Sequence, residues 1–322
     1  MKKIFLVSLM LFAFCHSAFC WGFFAHQKIN YYAVFLLPPE MMALYKPNIN
    51  FLSQHAVDPD KRRYVSSAEG PHHFIDIDHY GKYPFTNLPR KWKDAVEKFS
   101  EDSLRTYGIV PWWIQTMEKR LTEAFKEKNQ SKILRYSAEI GHYIADAHVP
   151  LHTSANHNGQ LTGQQGIHGF WESRIPELLA DKEWDFFIGK ATYISNPEDF
   201  IWKRILESAA EADSVLSFEK ELSKKFSKDQ QFAFEEKNGK LIKQYSYRYT
   251  IAYNKKLNNM VERRMQQSIY AVACFWYTAW VNAGQPDLKN LSNKNFSEKE
   301  SKEFEELDKQ WKNTAIKGRE ED

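Results

Sequence analysis

The chain has 322 residues, of which 43% are hydrophobic and 15% aromatic. That is ample for a sizeable core in one large or two ordinary domains, and excludes a chain too poor in apolar residues to fold alone. Forty-four Lys and Arg against 41 Asp and Glu leave a net charge of +3, so neither a polybasic nor a polyacidic protein is indicated and charge selects no partner.

Lys2 and Lys3 precede an apolar run from Ile4 to Phe14, and Ala18-Phe19-Cys20 supplies small residues at the positions a signal peptidase reads. The run is too short to span a bilayer. Residues 1–20 are therefore expected to be a secretory signal peptide, and the mature chain to start at Trp21 and be exported to the periplasm or beyond. A lipoprotein anchored through Cys20 is the competing reading, opposed by the bulky Phe19. Cleavage leaves Cys274 as the only cysteine, so no intrachain disulfide is expected. No later stretch is apolar enough for a transmembrane anchor, and no stable protein partner is inferred.

A helix is expected over 21–37, opening at Gly22 and carrying Ile29, Ala33 and Leu36 or Leu37 inward, with His26 at its start. A free Trp21 amine there can lose its proton and chelate a metal through nitrogen and carbonyl oxygen. Pro38 and Pro39 break this helix, and a second is expected over 40–54. Asp58 and Asp60 then flank Pro59 in a turn-like segment. In the extended stretch 69–76, His72 and His73 point to opposite sides, so only one of them faces any given site. Helices follow over 91–107 and 111–128, the latter with an Ile114, Met117, Leu121, Phe125 stripe, then over 183–190 and 197–225. Residues 232–250, around Asn238-Gly239, read either as a short β-hairpin or as a flexible insertion. A helix over 255–283 closes the bundle, and from Gly284 the composition turns charged. Phe296, Phe304, Leu307 and Trp311 are the anchors by which that tail can dock one short helix. The expected architecture is one all-α domain over 21–283 with a tail over 284–322 that has no catalytic part.

The stretch 131–152 organises the rest. His142 and Asp146 are four residues apart, hence on one face of a helix whose other apolar positions read as core. Ala138, Gly141 and Ala145 are small enough for a neighbour to approach closely, and Pro150 releases His152 from the helical track. His168 and Glu172 repeat the four-residue spacing. Imidazole and carboxylate both suit zinc, and five such groups in 31 positions outline a site for more than one ion. His148 and His72 fall outside this constellation and read as surface residues in preference to donors that back a ligand. The Gly, Asn and Gln-rich segment 156–166 reads as a surface loop at the site's mouth. No glycine-rich phosphate loop and no G-x-S-x-G elbow is present, so a Ser or Cys nucleophile is not expected.

The set Trp21, His26, Asp58, His73, His142, Asp146, His152, His168 and Glu172 resembles the nine-ligand, three-zinc signature shared by bacterial zinc-dependent phospholipases C and single-strand-specific fungal and plant zinc nucleases. W-G-x2-A-H and the H-F-x-D at His73 to Asp76 are similar to the nuclease branch. Glu172, where the nucleases usually carry aspartate, resembles the phospholipase branch. The resemblance implies one zinc on Asp58, His73, His142 and Asp146, and a second on Trp21 and His26 that shares Asp146. A third, more open zinc would take His152, His168 and Glu172.

Two zinc ions that share a water push its pKa from 15.7 toward about 7 and so provide hydroxide at neutral pH. The function expected is phosphodiester hydrolysis on phospholipid or single-stranded nucleic acid, with Asp58 orienting or deprotonating the water. Phe74 and Asp76 would form the substrate pocket, a base-stacking one in a nuclease. A phospholipase would draw its apolar rim from Trp112, Trp113 and Phe170, and a nuclease its basic residues from Arg62 and Arg63. The alternative is a secreted, non-enzymatic helical protein in which zinc is structural or the cleft only binds a ligand.

Overall fold

The computed structural model describes residues 22–237, 239–291 and 296–317. The leader expected over 1–20 and the Trp21 amine lie outside them. The helices are α1 (Phe23–Val34), α2 (Pro39–Tyr45), α3 (Ile49–Gln54), α4 (Asp58–Arg63), α5 (Trp92–Phe99), α6 (Glu101–Thr106), α7 (Val110–Lys126) and α8 (Gln130–Asp146). There follow α9 (Ile167–Gly169), α10 (Ile175–Glu183), α11 (Pro197–Ser223) and α12 (Lys228–Gln231). After the antiparallel strands β1 (Phe232–Lys237) and β2 (Lys240–Tyr245) come α13 (Tyr247–Lys256), α14 (Met260–Asn282) and α15 (Glu298–Asn313). The all-α expectation holds, with the hairpin as the one sheet among the described residues. No helix among them is long and apolar enough to cross a membrane.

Helix α8 is the spine. It starts where the Asn129 side chain accepts the Lys132 amide, and it packs against α1, α3, α7 and α14. Ile133, Ala138, Ile140, Ile144 and Ala145 are all fully buried, as is the Ile114, Met117, Leu121, Phe125 stripe of α7. Gly141 is where α1 comes closest: a Cβ there would lie 2.0 Å from Asn30 Oδ1. Asn30 itself donates to the carbonyls of Leu52 and Ala138, both at 3.0 Å, and so ties α1, α3 and α8 together. On the other side the Trp276 indole of α14 donates to Ser137 O at 2.9 Å.

Several expected elements come out divided. The helix expected over 91–107 breaks at Ser100, whose φ of +66° ends α5 and whose hydroxyl caps α6. That expected over 40–54 is split between α2 and α3 by residues 46–48. Helix α10 ends at Glu183, so the expected helix over 183–190 is an extended segment instead; Ile194 N bonds Thr278 Oγ1 of α14 farther along the same stretch. The hairpin stops at Tyr245, and the Ser246 side chain starts α13 by accepting the Tyr249 amide. Asn258 and Asn259, both at positive φ, separate α13 from α14.

The charged tail returns to the body as α15, opened by a Ser297/Glu300 capping box. Phe304 lies against His55 with ring centroids 4.3 Å apart, and Trp311 meets Phe23 edge-on at 5.4 Å. Lys61 reaches Asp308 at 2.6 Å, and Lys317 N donates to Arg63 O.

Because Gly141 has no room for a methyl, Gly141→Ala should destabilise the protein by about 1–3 kcal/mol through overpacking against Asn30. Thermal unfolding checks this, and a melting temperature equal to that of the unsubstituted protein would show that α1 and α8 do not meet there.

Candidate metal centre

Four short segments bring the polar residues of the interior together. The first turns of α1 carry His26. Pro59 in the first turn of α4 makes 58–63 helical, and residues two apart on a helix face away from each other. Asp58 and Asp60 therefore part company. Asp58 gives one oxygen to His55 Nδ1 at 2.6 Å and the other to Lys61 Nζ at 2.9 Å. Asp60 points inward, with Oδ1 3.5 Å from His142 Nε2 and 3.7 Å from His73 Nδ1. The place read for Asp58 is thus taken by Asp60. The sequence offered D-P-D, and a turn-like reading of that segment could not separate its two carboxylates.

His73 closes the 3-10 turn Gly70–His72 with helical backbone angles, so the extended reading of 69–76 holds only from Phe74, where the chain threads between α7 and the turn after α8. Ile75 N donates to His152 O at 2.9 Å, and Asp76 N to Tyr107 O at 2.7 Å. Gly108, at φ +88°, lets this stretch press in, since a Cβ there would be 2.2 Å from Phe74 O. Phe74 is 4% exposed and Asp76 is buried, so both residues read as substrate contacts lie inside the wall that holds His73.

Asp146, at the end of α8, is the hub. Its Oδ2 is 3.0 Å from His73 Nδ1 and 3.2 Å from His142 Nε2, while its Oδ1 is 3.4 Å from His26 Nε2 and 3.9 Å from His152 Nε2. Pro150 ends the helical track as expected, and the 3-10 turn Pro150–Thr153 swings His152 to 3.5 Å from Glu172 Oε2. His168 Nε2 is 3.1 Å from the same oxygen. Glu172 sits in the π-helical stretch Phe170–Arg174, a wider winding than the α-helix its spacing suggested.

The outer nitrogens are also engaged. His142 Nδ1 bonds Ala56 O at 2.9 Å and His168 Nδ1 bonds His157 O at 3.1 Å, which orients each ring. Three triads result: His26, His142 and Asp146; Asp60, His73 and His142; and His152, His168 and Glu172.

The donor set fits cations. Both oxygens of Asp60 and the Oδ1 of Asp146 are buried and accept no hydrogen bond, which is costly for a carboxylate unless a cation is shared. Burial works against charge on His142, yet Asp146 and Asp60 beside it raise its imidazole to about 9. Burial likewise opposes ionisation of Asp146, but the charges of His142 and His152 hold its carboxyl well below the usual range. Burial lowers the His26 imidazole, with His142 adding to the effect. Asp146 and Asp60 thus favour positive charge at His142, while each of the three triads offers donors that a metal ion could use.

Other expectations are corrected. His148 is fully buried; its Nδ1 bonds Ile144 O at 2.7 Å, and Arg264 Nε donates to its carbonyl. His72 is also buried, stacked on Trp113 at 3.7 Å. Neither is at the surface. The 156–166 loop is knitted by its own bonds and pinned to α11 through Gln164 and Leu216 O at 2.9 Å.

The all-α frame gathers five imidazoles and three carboxylates in its interior, in three groups that could each hold a metal ion. The chain belongs to the zinc dependent phospholipase C family, which it matches over residues 25–217, more than half its length. No curated protein sequence matches it. Among solved structures it is similar to the Clostridium perfringens alpha-toxin isolated from avian strain SWCP, at 13% identity and a TM-score of 0.48. That likeness covers 82% of this chain and 65% of the toxin chain, so this chain spans slightly less than two thirds of the toxin.

The two aspartates are separable by experiment. Asp60→Asn should cost about one zinc per chain by metal analysis, since it removes a ligand from a site of three or four. Asp58→Asn should keep its zinc and lose about 1–3 kcal/mol of stability, because Lys61 and His55 lose a buried partner. The reverse pattern would return the ligand role to Asp58.

Proposed function

We propose that the chain is a phospholipase C that hydrolyses the glycerol-side phosphodiester of a phospholipid with three zinc ions. One ion is assigned to Asp60, His73, His142 and Asp146, and one to the Trp21 amine and carbonyl with His26 and Asp146. The third is assigned to His152, His168 and Glu172. The observation that carries this reading is the division of Asp146, one oxygen toward His73 and His142 and the other toward His26 and His152. A carboxylate so placed suits a bridge between two neighbouring ions.

When bound, zinc would lower the pKa of water and offset charge on the phosphoryl oxygens. The chain's own residues supply the rest. Oδ2 of Asp60, which accepts no hydrogen bond, is assigned the proton of the attacking water. Ala56 O and His157 O hold the rings of His142 and His168 so that their inner nitrogens stay aimed. Burial of the described ligands, His26, Asp60, His73, His142, Asp146, His152, His168 and Glu172, would limit the access of bulk water to the reacting centre.

Phospholipid is favoured over nucleic acid by the family match and by where the residues a nuclease would need are spent. Phe74 is enclosed, Arg62 is bonded to Glu69 and Glu139, and Arg63 is buried. Of the apolar rim read at Trp112, Trp113 and Phe170, Trp112 and Phe170 are interior and Trp113 is half-buried, so Trp113 is the one of the three left for lipid contact. Export through a leader over 1–20 is part of the same reading, because the Trp21 amine exists only after cleavage.

Two measurements test this. Phosphatidylcholine vesicles and single-stranded DNA or RNA at equal enzyme should show release of diacylglycerol that a chelator stops and zinc restores. Cleavage of nucleic acid alone would overturn the phospholipase reading, and bound zinc without either activity would favour a structural role. One residue added before Trp21 should lower zinc from about three to about two per chain; an unchanged content would remove the amine from the ligand set.

A further inference from the structure

His73 is turned the opposite way from its neighbours. His142 and His168 face the centre with Nε2 and are backed through Nδ1 by backbone carbonyls. His73 instead presents Nδ1 to the centre, 3.0 Å from both Asp146 Oδ2 and His142 Nε2. Its Nε2 points outward to the Oε1 of Glu69 at 3.5 Å. An imidazole that offers its Nδ1 lone pair to a cation carries its proton on Nε2, and that N–H needs an acceptor when buried.

Glu69 is built to be that acceptor. It is buried, one α-helical turn's spacing before His73 in sequence, and is gripped from two sides. Arg62 Nε of α4 donates to its Oε2 at 3.1 Å, and the hydroxyl of Tyr143, the residue after His142 on α8, donates to its Oε1. Arg62 also donates to the Tyr143 oxygen at 3.1 Å, closing a ring of three groups. The two helices that carry Asp60 and His142 therefore both hold the carboxylate that backs His73.

We infer that Glu69 is a positioning residue that fixes His73 with its proton on Nε2 and aims Nδ1 at a cation shared with Asp60, His142 and Asp146. A carboxylate behind the ring also makes the imidazole a stronger donor than a backbone carbonyl does. Of these three histidines, His73 alone is backed by a side chain, so it is the one whose backing mutation can remove. The inference rests on the zinc assignment above.

The test compares Glu69→Gln and Glu69→Ala with the unsubstituted chain in zinc-free and zinc-loaded forms. Chelator titration should show one zinc weakened about tenfold in Glu69→Gln and up to about a hundredfold in Glu69→Ala, and the rise in melting temperature on adding zinc should shrink in step. A lower melting temperature of the zinc-free protein with undiminished zinc affinity would make Glu69 a purely structural partner of Arg62 and overturn the inference. If Glu69→Ala does not fold, Glu69→Gln and a nitrogen-15 spectrum of the unsubstituted, zinc-loaded protein decide. His73 should show Nδ1 shifted by metal and Nε2 protonated, and the opposite assignment overturns the inference. An unsubstituted chain that takes up no zinc would instead sink the proposed function, an outcome distinct from all of these.

Discussion

Carboxylates taken out of water must meet positive charge or lose their own, and the interior of this protein is arranged around that constraint. Asp146 sits fully buried at the end of the central helix with four imidazoles as its partners. Asp60 adds a second buried carboxylate that accepts no hydrogen bond. Arg63, 3.8 Å from Asp60, offsets part of this charge; neutral imidazoles cannot balance the rest, and protonated ones would crowd cations within a few ångströms of each other. Shared divalent ions resolve both difficulties at once, in keeping with a family defined by its dependence on zinc.

The scaffold exists to hold that arrangement still. Helix α8 is gripped on one side by Asn30 against Gly141 and on another by Trp276 against Ser137, so its inward residues have little freedom to turn. The stretch that follows His73 is fixed by main-chain bonds to Tyr107 and His152, which links two of the ligand-bearing segments directly. The C-terminal helix lies over α4, where Asp308 meets Lys61, and Lys61 in turn holds Asp58. The charged tail is thereby joined to the short helix that presents Asp60, a structural tie that its composition alone did not suggest.

Periodicity and punctuation carried most of the fold. The apolar stripes of α7 and α8, the release of His152 by Pro150 and the hairpin around Gly239 follow from local rules that tertiary contacts did not override. What failed was mostly where one residue decides. Ser100, at positive φ, cut one helix into two, and a pair of Asn residues at positive φ separated α13 from α14. His148 and His72 were placed outside because each faces away from the metal centre, yet both are buried, one behind α8 and the other beneath Trp113. A histidine excluded from a site can still belong to the core, since its ring is apolar enough to pack, as that of His72 does against Trp113.

By itself the sequence determined which residue types could form the centre and that they lie on an all-helical frame, because i,i+4 spacing within an apolar helix dictates direction. It also placed His142 and Asp146 on a common face. Only the tertiary structure put Asp60 rather than Asp58 beside His73 and His142, because that turns on whether Pro59 opens a helix or a turn, and on which side Lys61 and His55 wait. It alone revealed Glu69 behind His73, since the four-residue spacing from Glu69 to His73 lies in a stretch read as extended and the contact depends on α4 and α8 meeting the same carboxylate.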